Sequence, residues 1–209
     1  MENISLNFKK VSFAYKKRQI LRDIDIKLSK TGMCVIYGDN GAGKTTLLRL
    51  MAGFLQPENG YITYCKNLRP SFIFQKPVLL RRSIEDNLLH ALMVNNNMSR
   101  FSALPKVKNI LSKYDLTDLS KEYAFNLSGG QQQMISIVRA LIIEPNIIFC
   151  DEPTSNLDAK NKILVEDLLK EKSCLSKIVL ITQNGNQSKK MADEVYELEN
   201  CKLNKVAKI

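Results

Sequence analysis

Ile24, Ile26 and Leu28 alternate with Asp25 and Lys27, the period-two pattern of a strand with one buried face. Ser5 to Phe8 and Ser12 to Tyr15 alternate in part, so the first thirty or so residues read as strands. Met33 to Tyr37 is a short unbroken apolar run that ends at Gly38, which predicts a buried strand feeding a glycine-rich turn. From Thr45 the period changes. Leu47, Leu48, Met51 and Phe54 fall at helical spacing, and Gly53 with Pro57 supplies the stop.

From about Pro77 to Ser128 the pattern is helical, with Val107, Ile110, Leu111 and Tyr114 at i, i+3, i+4, i+7 and few β-branched runs. A helix through Ile135, Val138 and Leu141 then stops near Pro145. It is followed by a strand from Ile147 to Asp151, a helix around Leu164 to Leu169 and a strand from Ile178 to Thr182. Strand and helix alternate, so these segments predict an α/β fold, a parallel sheet with helices on its faces. No internal repeat or low-complexity linker interrupts them.

With 209 residues, 44% of them hydrophobic, the chain is long enough to bury a sizeable core. No segment approaches the roughly 20 apolar residues of a membrane span, and MENISLNFKK lacks the apolar region of a signal peptide, so a cytosolic protein is expected. Cys34, Cys65, Cys150, Cys174 and Cys201 show no paired spacing and sit mostly beside apolar residues, as buried thiols do. The single His90 has no ligand partner nearby in sequence and receives no role. The net charge of +10 comes from dispersed lysines, which reads as a solvated exterior more than a nucleic-acid patch; attraction to an anionic membrane surface would be secondary.

Between the Met33–Tyr37 strand and the following helix, Gly38, Asp39, Asn40, Gly41, Ala42, Gly43, Lys44 and Thr45 fit the pattern G-x-x-x-x-G-K-[ST]. Glycines let a backbone fold closely around phosphates and aim N–H groups at them, while a helix N-terminus adds a favourable dipole. Lys44 is then placed to reach β- and γ-phosphates, the Thr45 hydroxyl to ligate Mg²⁺, and Thr46 to continue the same turn. The apolar run Ile147 to Cys150 ends in two carboxylates. Asp151 can hold a metal and Glu152 can polarise an attacking water; capping of the next helix is the competing role for both. This loop by itself leaves kinases, GTPases and helicases open.

Leu127, Ser128, Gly129, Gly130 and Gln131, followed by Gln132 and Gln133, resemble the signature of the ABC ATPases and precede the Asp-Glu strand at that family's usual place. The resemblance covers nearly the whole chain. It implies a P-loop NTPase core of the RecA-like kind over residues 1–75 and 129–209, with an N-terminal antiparallel β portion and a helical lobe inserted over 76–128. The ligands it implies are ATP and Mg²⁺. It also implies a homodimer, or a heterodimer with another ATPase subunit, in which Ser128, Gly129, Gly130 and Gln131 of one subunit face the γ-phosphate held by the other. The wider assembly would include an integral membrane permease, in some systems an extracytoplasmic solute-binding protein, and no nucleic acid. Such a chain works peripherally on the cytoplasmic face of the membrane. Tyr15 matches the aromatic that stacks on adenine, Gln75 the loop glutamine that contacts Mg²⁺ or water, and Asp158 the loop through which two subunits sense each other. A buried strand tyrosine, a polar strand end and a helix cap are the respective alternatives.

Departures from the family pattern matter too. Gln183 stands where the family has its switch histidine; an amide can bond a γ-phosphate but cannot become cationic or relay a proton as imidazole does. Slowed turnover is the implied consequence; with Glu152 and the signature intact a working ATPase is expected, and an ATP-binding subunit with impaired hydrolysis is the alternative. Met134 replaces a basic residue usual after the signature, Asn200 and Cys201 stand where a turn with glycine is common, and the shortened stretch from Gly60 to Gln75 puts one hairpin of the flanking antiparallel sheet in doubt. Segments 75–84 and 182–195 look like those of oxyanion importer ATPases, especially the tungstate type. LSGGQQQ and the string from Asp151 to Asp158 also resemble the compact exporter ATPases of lipoprotein-release or macrolide type.

Overall fold

The computed structural model describes residues 4–183 and 192–206. The chain divides into two compact units. The first holds residues up to 72, 146–152 and those from 167 on; the second holds 73–145 and 153–166.

Among the described residues the strands form two sheets, both belonging mainly to the first unit. In the smaller, β1 (Ile4–Tyr15) lies antiparallel between β2 (Arg18–Ser29) and β4 (Asn59–Tyr64). Leu21, Ile24, Ile26 and Leu28 of β2 are buried while Asp25 and Lys27 face out, so the alternation in sequence is the alternation of faces. The other sheet has the order β5-β6-β7-β3-β8-β9, formed by β3 (Gly32–Tyr37), β5 (Pro70–Ile73), β6 (Ile147–Asp151), β7 (Lys177–Thr182), β8 (Glu194–Glu199) and β9 (Lys202–Val206). β3 pairs in parallel with β7 and β8, and β6 with β7; β9 returns antiparallel to β8. β6 is buried throughout and β3 and β7 nearly so, which is why their sequences read as continuous apolar runs. The short stretch after Gly60 supplies β4 to one sheet and β5 to the other.

Helix α1 (Lys44–Met51) ends earlier than the apolar spacing predicts. Gly53, at φ +76°, sends its N–H to the Leu50 carbonyl, and the Phe54 N–H reaches the Arg49 carbonyl. This pair of bonds ties up the last helical carbonyls and leaves Phe54 outside the helix, half-exposed, with its ring against Phe72. At the β8–β9 turn, Asn200 and Cys201 adopt φ +49° and +63°, the left-handed pair that a two-residue hairpin loop requires. The turn forms without glycine, and the Cys201 carbonyl accepts a bond from the Arg22 N–H.

In the second unit α2 (Ile84–Asn95), α3 (Arg100–Lys113) and α4 (Gly129–Ile142) pack on one another around Leu88, Leu92, Val107, Leu111 and Ile135. Each begins at a serine whose hydroxyl accepts a backbone N–H: Ser83, Ser99 and Ser128. The fully buried Asn87 accepts the Leu80 N–H and donates to the carbonyls of Leu80, Arg82 and Ser83, so it pins the chain that enters α2. His90 is exposed on α2. Helix α5 (Ala159–Ser173) begins in this unit and ends in the first. Cys34 and Cys150 are buried, burial pushing the Cys34 thiol up to about 12 and the Cys150 thiol up as well, while Cys174 is exposed.

A charged residue sits in the core of the first unit. Lys177 opens β7 with no solvent exposure, and its Nζ bonds Glu194 at 2.7 Å and the Ser29 hydroxyl at 3.1 Å. The Tyr196 hydroxyl donates to the other Glu194 oxygen at 3.2 Å. Removing one member strands a buried charge, so Lys177→Met is expected to cost about 3–5 kcal/mol in a denaturant titration, with much of the loss recovered in Lys177→Met/Glu194→Leu.

Candidate functional site

The parallel pairing of β3, β7 and β6 brings three chain turns to one sheet edge. Tyr37 pairs with Thr182 and Asp151 with Ile181, so Gly38, Gln183 and Glu152 all follow at the carboxyl end of neighbouring strands. In an open α/β sheet this edge is where ligands bind.

The loop leaving β3 needs its glycines for close approach. A Cβ on Gly38 would lie 2.3 Å from the Leu198 carbonyl oxygen, and one on Gly43, at φ +102°, would lie 2.7 Å from Ile20 Cγ2. Asp39, Asn40 and Gly41 span the tip, the Ala42 N–H closes back on the Asp39 carbonyl, and Gly43 precedes α1. Unlike α2, α3 and α4, helix α1 has no side-chain cap, and like α3 and α4 it has no acidic residue in its first turn. Its leading N–H groups, up to Thr46, therefore have neither an i−4 carbonyl nor a neutralising carboxylate of their own helix. An anion is what such an end accepts.

Lys44 is almost fully buried, and its ammonium donates to the carbonyls of Gly38 at 2.7 Å and Asp39 at 2.9 Å. Burial lowers its pKa, against the pull of Glu152, Asp151 and Asp39. The Thr45 hydroxyl bonds the Asp151 carboxyl, whose pKa is raised by burial despite that bond and the charges of Arg49 and Lys44. Arg49 carries no motif, but its i+4 spacing from Thr45 puts it on the same helix face. Glu152 sends its N–H to the Ile181 carbonyl at 3.1 Å and adopts φ +44°, a left-handed conformation that ends β6 and re-aims the chain. For a non-glycine residue this conformation stores strain.

Gln183 is exposed one residue past β7, and the neighbouring segment 184–191, part of the stretch likened to oxyanion importers, lies outside the described residues. Tyr15 ends β1 with 45% exposure, its ring nearly perpendicular to that of Phe13 with the centroids 4.9 Å apart. A hydroxyl, a carboxylate and an ammonium thus converge in the first unit at one uncapped helix end. Thr45 and Asp151 are the hard oxygen donors expected of a Mg²⁺ site that keeps most of its water.

Gln75, Ser128 to Gln131 and Asp158 belong to the second unit. Ser128 caps α4 reciprocally: its hydroxyl accepts the Gln131 N–H at 3.3 Å and its own N–H reaches Gln131 Oε1 at 3.0 Å. A Cβ on Gly129 would meet nothing within 4 Å, and one on Gly130 only Leu157 Cδ2 at 3.8 Å and the Asn156 carbonyl oxygen at 4.0 Å. Packing among the described residues therefore does not require either glycine. Asp158 accepts the Asn161 N–H and side-chain amide at 2.9 and 2.8 Å, bonds that hold its carboxyl below the usual carboxylate range. Gln75 is exposed, its carbonyl accepting from Asn156 at 3.0 Å.

Residues 21–155 match the family model described as ABC transporter. The chain is 32% identical to the lipoprotein-releasing system ATP-binding protein LolD of Buchnera aphidicola, over 81% of this chain and 79% of that one. It is 31% identical to the sulfate/thiosulfate import ATP-binding protein CysA 1 of Agrobacterium fabrum over 89% of this chain, but spans only 58% of that protein. Among solved structures, an inward-facing putative metal-chelate type ABC transporter matches with TM-score 0.84 and 28% identity, covering 99% of this chain and 84% of its own. Among the described residues no helix is long and apolar enough to cross a membrane.

The raised pKa of Asp151 carries a sign. A carboxyl whose folded pKa lies above its unfolded value opposes folding at neutral pH, and the penalty fades as pH falls through the folded value. Asp151→Asn, which keeps an acceptor for Thr45, is expected to raise the unfolding midpoint of the ligand-free protein at pH 7. The gain should shrink toward zero in acid, as read by denaturant titrations across pH.

Proposed function

Because the chain belongs to the ABC transporter family as an ATP-binding subunit, we propose that it hydrolyses ATP at the uncapped end of α1 and passes the resulting motion to a membrane permease. The observation that carries this is the convergence of Lys44, Thr45 and Asp151 on one loop. Arriving phosphates take the place of the Gly38 and Asp39 carbonyls as acceptors for Lys44 and meet the free N–H groups of Gly43 to Thr46. Thr45 and Asp151, with Gln75 as a further ligand in this reading, would hold Mg²⁺, which would neutralise charge on the transferring phosphoryl group. Glu152 orients and polarises the attacking water, and Gln183 donates an amide to the γ-phosphate. Tyr15, exposed at the end of β1, offers its ring to adenine. The catalytic contribution is positioning and electrostatics, with little covalent chemistry of the protein's own.

Two copies close around two nucleotides in this reading, as a homodimer or with another ATPase subunit. Gly129 and Gly130, which no contact among the described residues demands, offer their own amides at the start of α4 to the γ-phosphate held by the opposite copy, and Asp158 faces that copy. The chain then works on the cytoplasmic face of the membrane. For cargo we favour import of an oxyanion of the tungstate or molybdate kind, delivered by a solute-binding protein; kinship with a sulfate importer supports it. Release of lipoproteins or export is the second reading, supported by the size-matched lipoprotein-releasing relative. Stimulation of the permease-bound ATPase by an oxyanion-loaded binding protein supports the first, and stimulation by acylated protein the second.

Phosphate release from ATP by the purified chain tests the enzyme. Glu152→Gln should lower kcat by about 10²- to 10⁴-fold; activity indifferent to this change, alone and with the permease, overturns the reading. Gln183→His restores a side chain that can carry a proton and is expected to raise kcat, most visibly in its dependence on pH between about 5 and 8.

A further inference from the structure

We infer that Gln133 and Asn156 are positioning residues for Gln75, their side-chain amides clamping the backbone at Phe74 and Gln75 to the turn that starts one residue after Glu152. Gln133 is the fifth residue of α4 and has no solvent exposure. Its Nε2 donates to the Phe74 carbonyl at 3.2 Å and to the Pro153 carbonyl at 3.0 Å. Asn156, exposed in the turn that begins at Pro153, donates through Nδ2 to the Gln75 carbonyl at 3.0 Å. Two consecutive carbonyls, those of Phe74 and Gln75, are thus held from opposite ends of one turn. All five residues belong to the second unit.

The chemistry of Gln133 argues against mere packing. Its Oε1 is buried and has no hydrogen-bond partner among the described residues, a cost that an apolar side chain of the same length would avoid. Only a double N–H donor can serve both carbonyls, and each of them would lose its donor if an apolar residue replaced Gln133. Gln133 also shares a helix with Ser128, Gly129 and Gly130, one turn away. A rigid helix that bears the signature at its first turn and grips the Gln75 segment at its second makes these pieces move together. The inference rests on the ATPase reading for the role of Gln75, while the clamp itself is a statement about backbone order.

Two variants and two readouts test it, Gln133→Met and Asn156→Ala. In hydrogen exchange, the amides of residues 74–76 are expected to exchange about tenfold faster in each variant, while those of α2 and α3 keep their protection. In ATP hydrolysis, each should lower kcat, Gln133→Met by about 10- to 100-fold, with KM for ATP nearly unchanged. The double variant should lose less than the product of the two, because both act on one segment. Leu111→Ala, in the core of α3 and away from the clamp, is the control for loss of stability: equal loss of kcat at an equal Tm would reduce Gln133 to packing and overturn the proposal. Unchanged exchange at 74–76 in both variants would also overturn it. If Gln133→Met does not fold, exposed Asn156→Ala carries both readouts. Absence of any Glu152-dependent hydrolysis in the unsubstituted chain would defeat the ATPase reading, and exchange would still decide the clamp.

Discussion

The parallel register of β6, β7 and β3 is the constraint on which the candidate site depends. Pairing Tyr37 with Thr182 and Asp151 with Ile181 forces three loops to leave the sheet side by side. The Glu152 N–H extends that pairing by one bond to the Ile181 carbonyl before the backbone turns into its left-handed conformation. A one-residue slip would turn Asp151 to the opposite face of the sheet and separate it from Thr45. The buried apolar faces of these strands, with α1 packed against β6 and β7, are what make such a slip costly.

At that edge two electrostatic demands meet. Burial works against the charge of Asp151 and of Lys44 alike, and each partly relieves the other. Lys44 rests on loop carbonyls that offer the same kind of acceptor as a phosphate oxygen, so exchanging one for the other asks little of the side chain. The uncapped helix end completes a site of positive potential made mostly from backbone. It needs glycine because the chain folds so close to Leu198 and Ile20.

The second unit is organised differently. Its helices start at serine caps, and its irregular segments are held by buried amides: Asn87 secures the chain entering α2, and Gln133 secures the ends of Phe74 and Pro153. Polar side chains replace strand pairing as the means of fixing loops there. The fit is not complete: among the described residues the buried Asn96 Oδ1, at the end of α2, and Gln133 Oε1 lack a hydrogen-bond partner.

The sequence by itself determined the local chemistry. The glycine loop before Lys44 and Thr45, the carboxylates ending an apolar strand and the serine opening α4 follow from spacing and side-chain type, because phosphate loops, metal ligands and helix caps are built from neighbours in the chain. Periodicity also placed β2, β3, β6, β7 and the helices around them. Gly53 stops α1 as its place in the sequence predicts, but periodicity alone counted Phe54 with the helix, and it could not show that Asn200 and Cys201 would accept a left-handed turn without glycine. Tertiary structure alone decided which distant segments meet: Lys177 with Glu194 and Ser29, Arg49 beside Asp151, Gln133 with Phe74 and Pro153. Those partners lie up to about 150 residues apart, and in sequence Lys177, Arg49 and Gln133 are ordinary polar residues; the contacts that make them determinants exist only in the folded chain.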